Sequence, residues 1–99
     1  MVVRIQSVHF TADQKLINFI QKKMDKLDTF YDKIVDADVF LKLENTSTRE
    51  NKIVEIKVNI PGNDLVVKKI AASFEEATDM CADVLSRQLR KTKEKVKMA

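Results

Sequence analysis

The chain has 99 residues, of which 44% are hydrophobic and 33% charged, with a formal net charge of +3. That length supports one domain with a single modest core, here residues 1–99, and the charge marks a heavily charged surface rather than disorder. No apolar stretch approaches the ~20 residues that span a bilayer, and the opening residues lack the pattern of a secretory signal.

Val2–Val8 is a β-branched run and reads as a strand. Thr11, Ala12, Asp13 and Gln14 have the spacing of a capping box, with Thr11 and Gln14 satisfying amide donors at a helix start. Ile17, Ile20, Met24, Leu27 and Tyr31 then recur at steps of three and four, which predicts an amphipathic helix over about residues 12–31. Lys15, Lys22, Lys23 and Lys26 fall on its other side. Residues 34–44 alternate, with Val35, Ala37, Val39, Leu41 and Leu43 on one face and Asp36, Asp38, Phe40, Lys42 and Glu44 on the other. A polar hairpin loop is expected at 45–51. The alternation resumes at 52–60, with Val54, Ile56, Val58 and Ile60 inward. Pro61, Gly62, Asn63 and Asp64 give the strongest turn signal, and 65–71 reads as a last strand whose facing Val66, Val67, Lys68 and Lys69 leave open. Ser73 and Glu76 form a second capping box, after which nothing interrupts a helix to about residue 95. Phe74, Cys81, Leu85, Leu89 and Val96 share about one third of its circumference. The predicted class is α+β: a β-α-β-β-β-α order, with a four-stranded sheet and two helices packed on one face.

The end of the second helix concentrates the charge. From residue 87 to 97, Arg87, Arg90, Lys91, Lys93, Lys95 and Lys97 stand against Glu94 alone, a local +5 in a chain of +3, so the rest sums to −2. A solvated face normally intersperses both signs, whereas a localised cationic surface predicts a polyanionic partner. A membrane surface fits less well, because Leu85 and Leu89 are committed to the sheet and the run has no Trp or Phe to insert. Lys23 and Lys26 have a bland reading too, as intrahelical partners of Asp25 or Asp28. The competing functional class is a cytosolic protein-interaction module that uses the outer sheet face around Phe40.

Catalysis lacks an inventory. His9 is the only histidine, Cys81 lies in the apolar stripe, and Asp36 and Asp38 make no metal-ligand spacing and read as groups that solubilise the sheet. Gly62 and Pro61 are each the only residue of their kind, which leaves no Gly-rich phosphate loop. No cofactor, metal or small-molecule substrate is expected. A single cysteine, unable to form an internal disulfide, fits a reducing, cytoplasmic setting.

Three stretches, Leu27-Asp-Thr-Phe-Tyr-Asp-Lys-Ile34, Val39-Phe-Leu-Lys-Leu-Glu44 and Asp83-Val-Leu-Ser-Arg-Gln-Leu-Arg-Lys-Thr-Lys-Glu-Lys-Val-Lys97, resemble in order those of the ribosome hibernation promoting factors. At the second helix start the chain departs from the pattern, with Ser73-Phe-Glu-Glu-Ala-Thr-Asp79 where many members have Asp-Met-Tyr-Ala-Ala-Ile-Asp. The resemblance implies a fold similar to a double-stranded RNA-binding domain. It also implies binding to the small ribosomal subunit between head and body, where messenger RNA and tRNA are displaced and translation is silenced in stationary phase or stress. Matched basic positions imply rRNA binding by Lys23, Lys26, Arg87, Lys91, Lys93, Lys95 and Lys97; Arg90, Lys15 and Lys22 join them on charge alone. Long members add a C-terminal dimerisation domain. The chain is similar to the short form, expected to be a monomer when free.

Overall fold

The computed structural model describes residues 1–44 and 47–98, and within them the side chains as far as Glu94. The order is β1 (Val2–Val8), α1 (Gln14–Leu27), β2 (Asp36–Leu43), β3 (Lys52–Ile60), β4 (Asn63–Ala71) and α2 (Phe74–Met98), as the apolar periodicities predict. The strands form one sheet in sequential order: β1 and β2 pair in parallel, the rest antiparallel. A parallel pair needs a long crossover, and α1 supplies it.

Both helices cover one face of this sheet. Its inward rows include Ala37, Val39 and Leu41 from β2, Val54, Ile56 and Val58 from β3, and Val67 and Ala71 from β4. Leu16, Ile20, Met24 and Leu27 of α1 and Ala77, Cys81, Leu85 and Leu89 of α2 close over them. Phe10 stacks on Phe74 with centroids 4.9 Å apart, joining the β1–α1 connection to the start of α2. Thr78, buried with this layer, donates its hydroxyl to the Phe74 carbonyl at 2.7 Å, so it carries no unmet polar group. The Cys81 thiol donates to the Val54 carbonyl at 3.5 Å, and burial pushes its pKa up to about 11. It is a core thiol, with little thiolate at neutral pH.

Several expectations about the elements need correction. The N-cap of α1 is Asp13, whose carboxylate accepts from the Leu16 amide at 2.8 Å; Thr11 stands outside the helix. The helix therefore starts later than predicted and buries Leu16 where Ile17 was expected. It also ends earlier, at Leu27: Asp28, Thr29 and Phe30 fold back through amide bonds to the carbonyls three residues before, a tightened last turn. Val35 and Leu43, assigned inward, are 61% and 40% exposed, because each lies at an end of β2 where the helices no longer cover the sheet.

The turn at Pro61 and Gly62 joins β3 to β4 in two residues, with Ile60 opposite Asn63. Proline followed by Gly62 at φ +81° is the type II pattern. A Cβ on Gly62 would meet nothing within 4 Å, so its backbone conformation, rather than space, calls for glycine. This early start of β4 settles its facing: Val67 and Ala71 point inward, and Val66, Lys68 and Ile70 outward. Ser73 caps α2 as predicted, accepting from the Glu76 amide at 3.1 Å.

The open sheet face holds a charge ladder that the sequence did not announce. Arg4 on β1 donates to Asp38 at 2.7 Å and to Asp36 at 2.8 Å on β2, and Asn59 on β3 donates to Asp36 from the other side. Asp36 and Asp38 thus tie three strands together rather than merely solubilising them. Both carboxyls are held below the usual range, Asp36 by the Asn59 amide and then Arg4, Asp38 by Arg4. Depressed carboxylates add stability above the unfolded carboxyl pKa of ~4 and lose it as pH falls through their folded values. Thermal melts of Arg4→Gln should show a lower Tm than wild type at pH 7 and a smaller Tm loss between pH 7 and pH 3. An equal acid loss in both proteins would contradict the ladder.

Candidate nucleic-acid interface

Burial fixes the phase of each helix and hence the direction of its cations. With Leu16, Ile20, Met24 and Leu27 against the sheet, Lys15, Lys22 and Lys26 recur at steps of seven and four. They form an exposed outward row about 16 Å long at 1.5 Å per residue. Lys23 is turned toward α2, where its Nζ lies 2.7 Å from Asp79 Oδ1 and 5.4 Å from the Phe19 ring centroid. The alternative of intrahelical pairing for Lys23 gives way to a bridge between the helices. Asp25 accepts instead from Gln21 and Asp28 from the Met1 amino group.

On α2, burying Cys81, Leu85 and Leu89 swings Asp79, Asp83, Ser86 and Arg90 toward α1. Between the helices runs an open groove of about 320 Å³, lined by these residues with Ala82, Lys23, Lys26, Leu27 and Phe30. A second hollow of about 280 Å³ adjoins it, between Thr29 and Phe30 on one side and Arg90, Lys93 and Glu94 on the other. Arg90 lies across their boundary with its Cζ 4.4 Å from the Phe30 ring centroid. Arg87 and Lys91 line neither hollow; both are exposed, and Arg87 pairs with Asp83 one turn back at 2.5 Å. Beyond Leu89 no described residue of α2 is buried. The side chains of Lys95 and Lys97 lie outside the described residues.

The structure thus brings Lys23, Lys26, Arg90 and Lys93 together around Phe30 and leaves Lys15, Lys22, Arg87 and Lys91 on the flanks. The groove is of mixed sign, since Asp79 and Asp83 engage Lys23 and Arg87. Among the described residues, Lys26, Arg90, Lys91 and Lys93 form no ion pair, as do Lys15 and Lys22, so these six keep their full charge for a partner. Sequence reasoning missed Phe30 and the role of Asp79. Only the four-residue step from Asp83 to Arg87 signalled a local neutralisation. Among the described residues, no three His, Cys, Asp or Glu side chains gather as metal ligands, and no helix is long and apolar enough to cross a membrane.

A family model described as Sigma 54 modulation protein / S30EA ribosomal protein matches residues 3–97, nearly the whole of the fold and both cationic helices. The chain belongs to this family. It is similar to the ribosome hibernation promoting factor of Pseudomonas putida, 33% identical over 95 residues that cover 96% of this chain and 89% of that protein. The ribosome hibernation promotion factor of Deinococcus radiodurans is 35% identical over 93 residues, which cover 93% of this chain but 49% of the relative. The chain therefore spans most of some family members and about half of others. Two solved structures share the fold. The Thermus thermophilus Protein Y N-terminal domain has a TM-score of 0.81 at 24% identity, over 93% of this chain and 99% of that one. A ribosomal subunit interface protein from Coxiella burnetii has a TM-score of 0.83 at 19% identity, over 95% and 99%. The likeness drawn from three residue stretches and the family match agree.

For this family member, the Lys23–Asp79 bridge makes a direct prediction. Asp79→Asn should move folding stability by less than about 1 kcal/mol, as exposed pairs do. It should also raise the salt concentration at which the protein leaves immobilised heparin, because Lys23 is released. Elution at an unchanged or lower salt concentration would contradict the pairing.

Proposed function

We infer that this chain binds the small ribosomal subunit and silences translation as a hibernation factor. It does so by filling the channel of messenger RNA and tRNA through contacts to rRNA phosphates. The observation that carries this reading is the gathering of unpaired cations on the helical layer of a protein whose relatives are named hibernation promoting factors. Lys15, Lys22, Lys23, Lys26 and Arg90 would meet phosphates from one side of the channel and Arg87, Lys91, Lys93, Lys95 and Lys97 from the other. A guanidinium grips a phosphate with two bonds, while lysines act as mobile point charges. Such contacts position the domain by shape and backbone without reading sequence. The whole of residues 1–99 acts as one binding unit, in the cytoplasm with the ribosome, under stress or in stationary phase. No catalytic step enters this account.

The alternative, a protein contact through the open sheet face, has less support. Arg4, Asp36, Asp38 and Asn59 already satisfy one another there, and Lys57 pairs with Asp64 at 3.7 Å. Phe40 is half-buried between Gln6 and Glu55 in the register.

Co-sedimentation with purified small subunits over a range of salt tests the reading. If about five phosphates are neutralised, the logarithm of affinity should fall against the logarithm of salt with a slope of order −4. Replacing Lys91, Lys93, Lys95 and Lys97 together by Ala should flatten that slope and weaken binding at least about tenfold at moderate salt. Each exposed substitution should cost no more than about 0.5 kcal/mol of folding stability. Salt-insensitive binding, or a quadruple variant that sediments like wild type, would overturn the phosphate reading.

A further inference from the structure

Arg90 makes an unusual choice of neighbour. Glu94 stands four residues on along α2, with the base before the acid, the weaker order for an ion pair at this spacing, and among the described residues the two form none. The guanidinium lies instead over the Phe30 ring, 4.4 Å from its centroid. These two are also the residues common to the groove and the adjoining hollow, where Leu27 and Ala82 give an apolar floor and Lys26 and Lys93 stand on opposite sides. A guanidinium is planar and weakly hydrated, so it stacks on both of its faces. Its Cζ sits over the Phe30 ring, and Arg90 as a whole stays exposed to a partner.

We propose that the Phe30–Arg90 pair is a stacking platform for one unpaired RNA base. The base lies on the outer face of the Arg90 guanidinium, making a three-layer stack with Phe30 beneath. Lys26 and Lys93 hold the phosphates on its two sides. This deepens the rRNA reading and rests on it, but differs in kind: phosphate contacts follow charge, whereas a stacked base requires a plane. A lysine at position 90 would keep the charge and lose the plane. Stacking of this sort tolerates any base, because each has a π-face, and it selects for single-stranded over paired RNA.

The test uses a short unpaired oligoribonucleotide carrying a fluorescent adenine analogue whose emission is quenched by stacking, titrated with the full chain. Wild type should quench it. Arg90→Lys should abolish the quenching and weaken binding about tenfold, within the range for losing one stacked base, while the salt slope stays the same. Phe30→Leu, which keeps an apolar group on the core, should reproduce the loss. Lys91→Ala should keep the quenching and flatten the salt slope. Absence of quenching by wild type, or quenching by Arg90→Lys equal to it, would overturn the platform. Co-sedimentation with small subunits in parallel separates the two ideas. Quenching without sedimentation would leave the platform standing and remove the ribosome, and sedimentation without quenching would do the reverse.

Discussion

The arrangement of this surface depends on one constraint, the burial of Cys81, Leu85 and Leu89 of α2 against the inner face of the sheet. At about 100° per residue, fixing those three side chains fixes every other on the helix. Asp79, Asp83, Ser86 and Arg90 must then face α1, and Arg87 and Lys91 must face solvent. The same argument on α1, run from Ile20 and Met24, gives Lys23 and Lys26 to the groove and Lys15 and Lys22 to the outside. The charged surface is therefore not assembled by contacts between charges. It is the reverse side of a hydrophobic seam, and its geometry is as rigid as the packing beneath it.

That origin explains the unequal treatment of charge on the two faces. On the sheet, Arg4 meets Asp36 and Asp38 across β1 and β2, Asn59 completes the set and Lys57 pairs with Asp64, while Lys42, Glu55 and Lys68 add charges of both signs, so cations and carboxylates stand side by side. On the helices, among the described side chains, only Lys23 and Arg87 of the cations meet carboxylates, and Lys15, Lys22, Lys26, Arg90, Lys91 and Lys93 form no ion pair. A surface of balanced sign exerts little net pull on an ionic partner; one left unbalanced attracts polyanions over about a Debye length. This difference in balance supports the proposed reading of the helical layer.

Much of this was legible from residue order. The period-two runs at 34–44 and 52–60 gave two strands, with the facing wrong only for Val35 and Leu43 at the ends of the first, Ser73 and Glu76 gave the start of α2, and the basic density after residue 86 pointed to the candidate surface. What escaped was decided at a distance. Thr11 and Asp13 are both able caps two residues apart, and only the need to bury Leu16 selects Asp13. In β4 the half-buried Lys69, opposite Val54, obscured the alternation, because a lysine stem can lie on apolar surface while its ammonium reaches water. Lys23 finds Asp79 rather than its helical neighbours, and Arg90 finds Phe30, across some sixty residues of chain. Spacing rules describe neighbours along one element and are silent on partners supplied by another.

The division between seam and surface has a consequence for how such a domain changes. Among the described side chains, Lys91 and Lys93 stand exposed beyond the last buried position, Leu89, and form no ion pair, so gaining or losing one there should come at little cost in stability. Arg90 differs from the rest. Its guanidinium is fixed by an aromatic ring that itself packs against the core, so its position is inherited from the fold. Charge at the helix end sets how strongly a polyanion is drawn in. In the proposed reading, the pair of Arg90 and Phe30 adds a preference for unpaired nucleotides once they arrive.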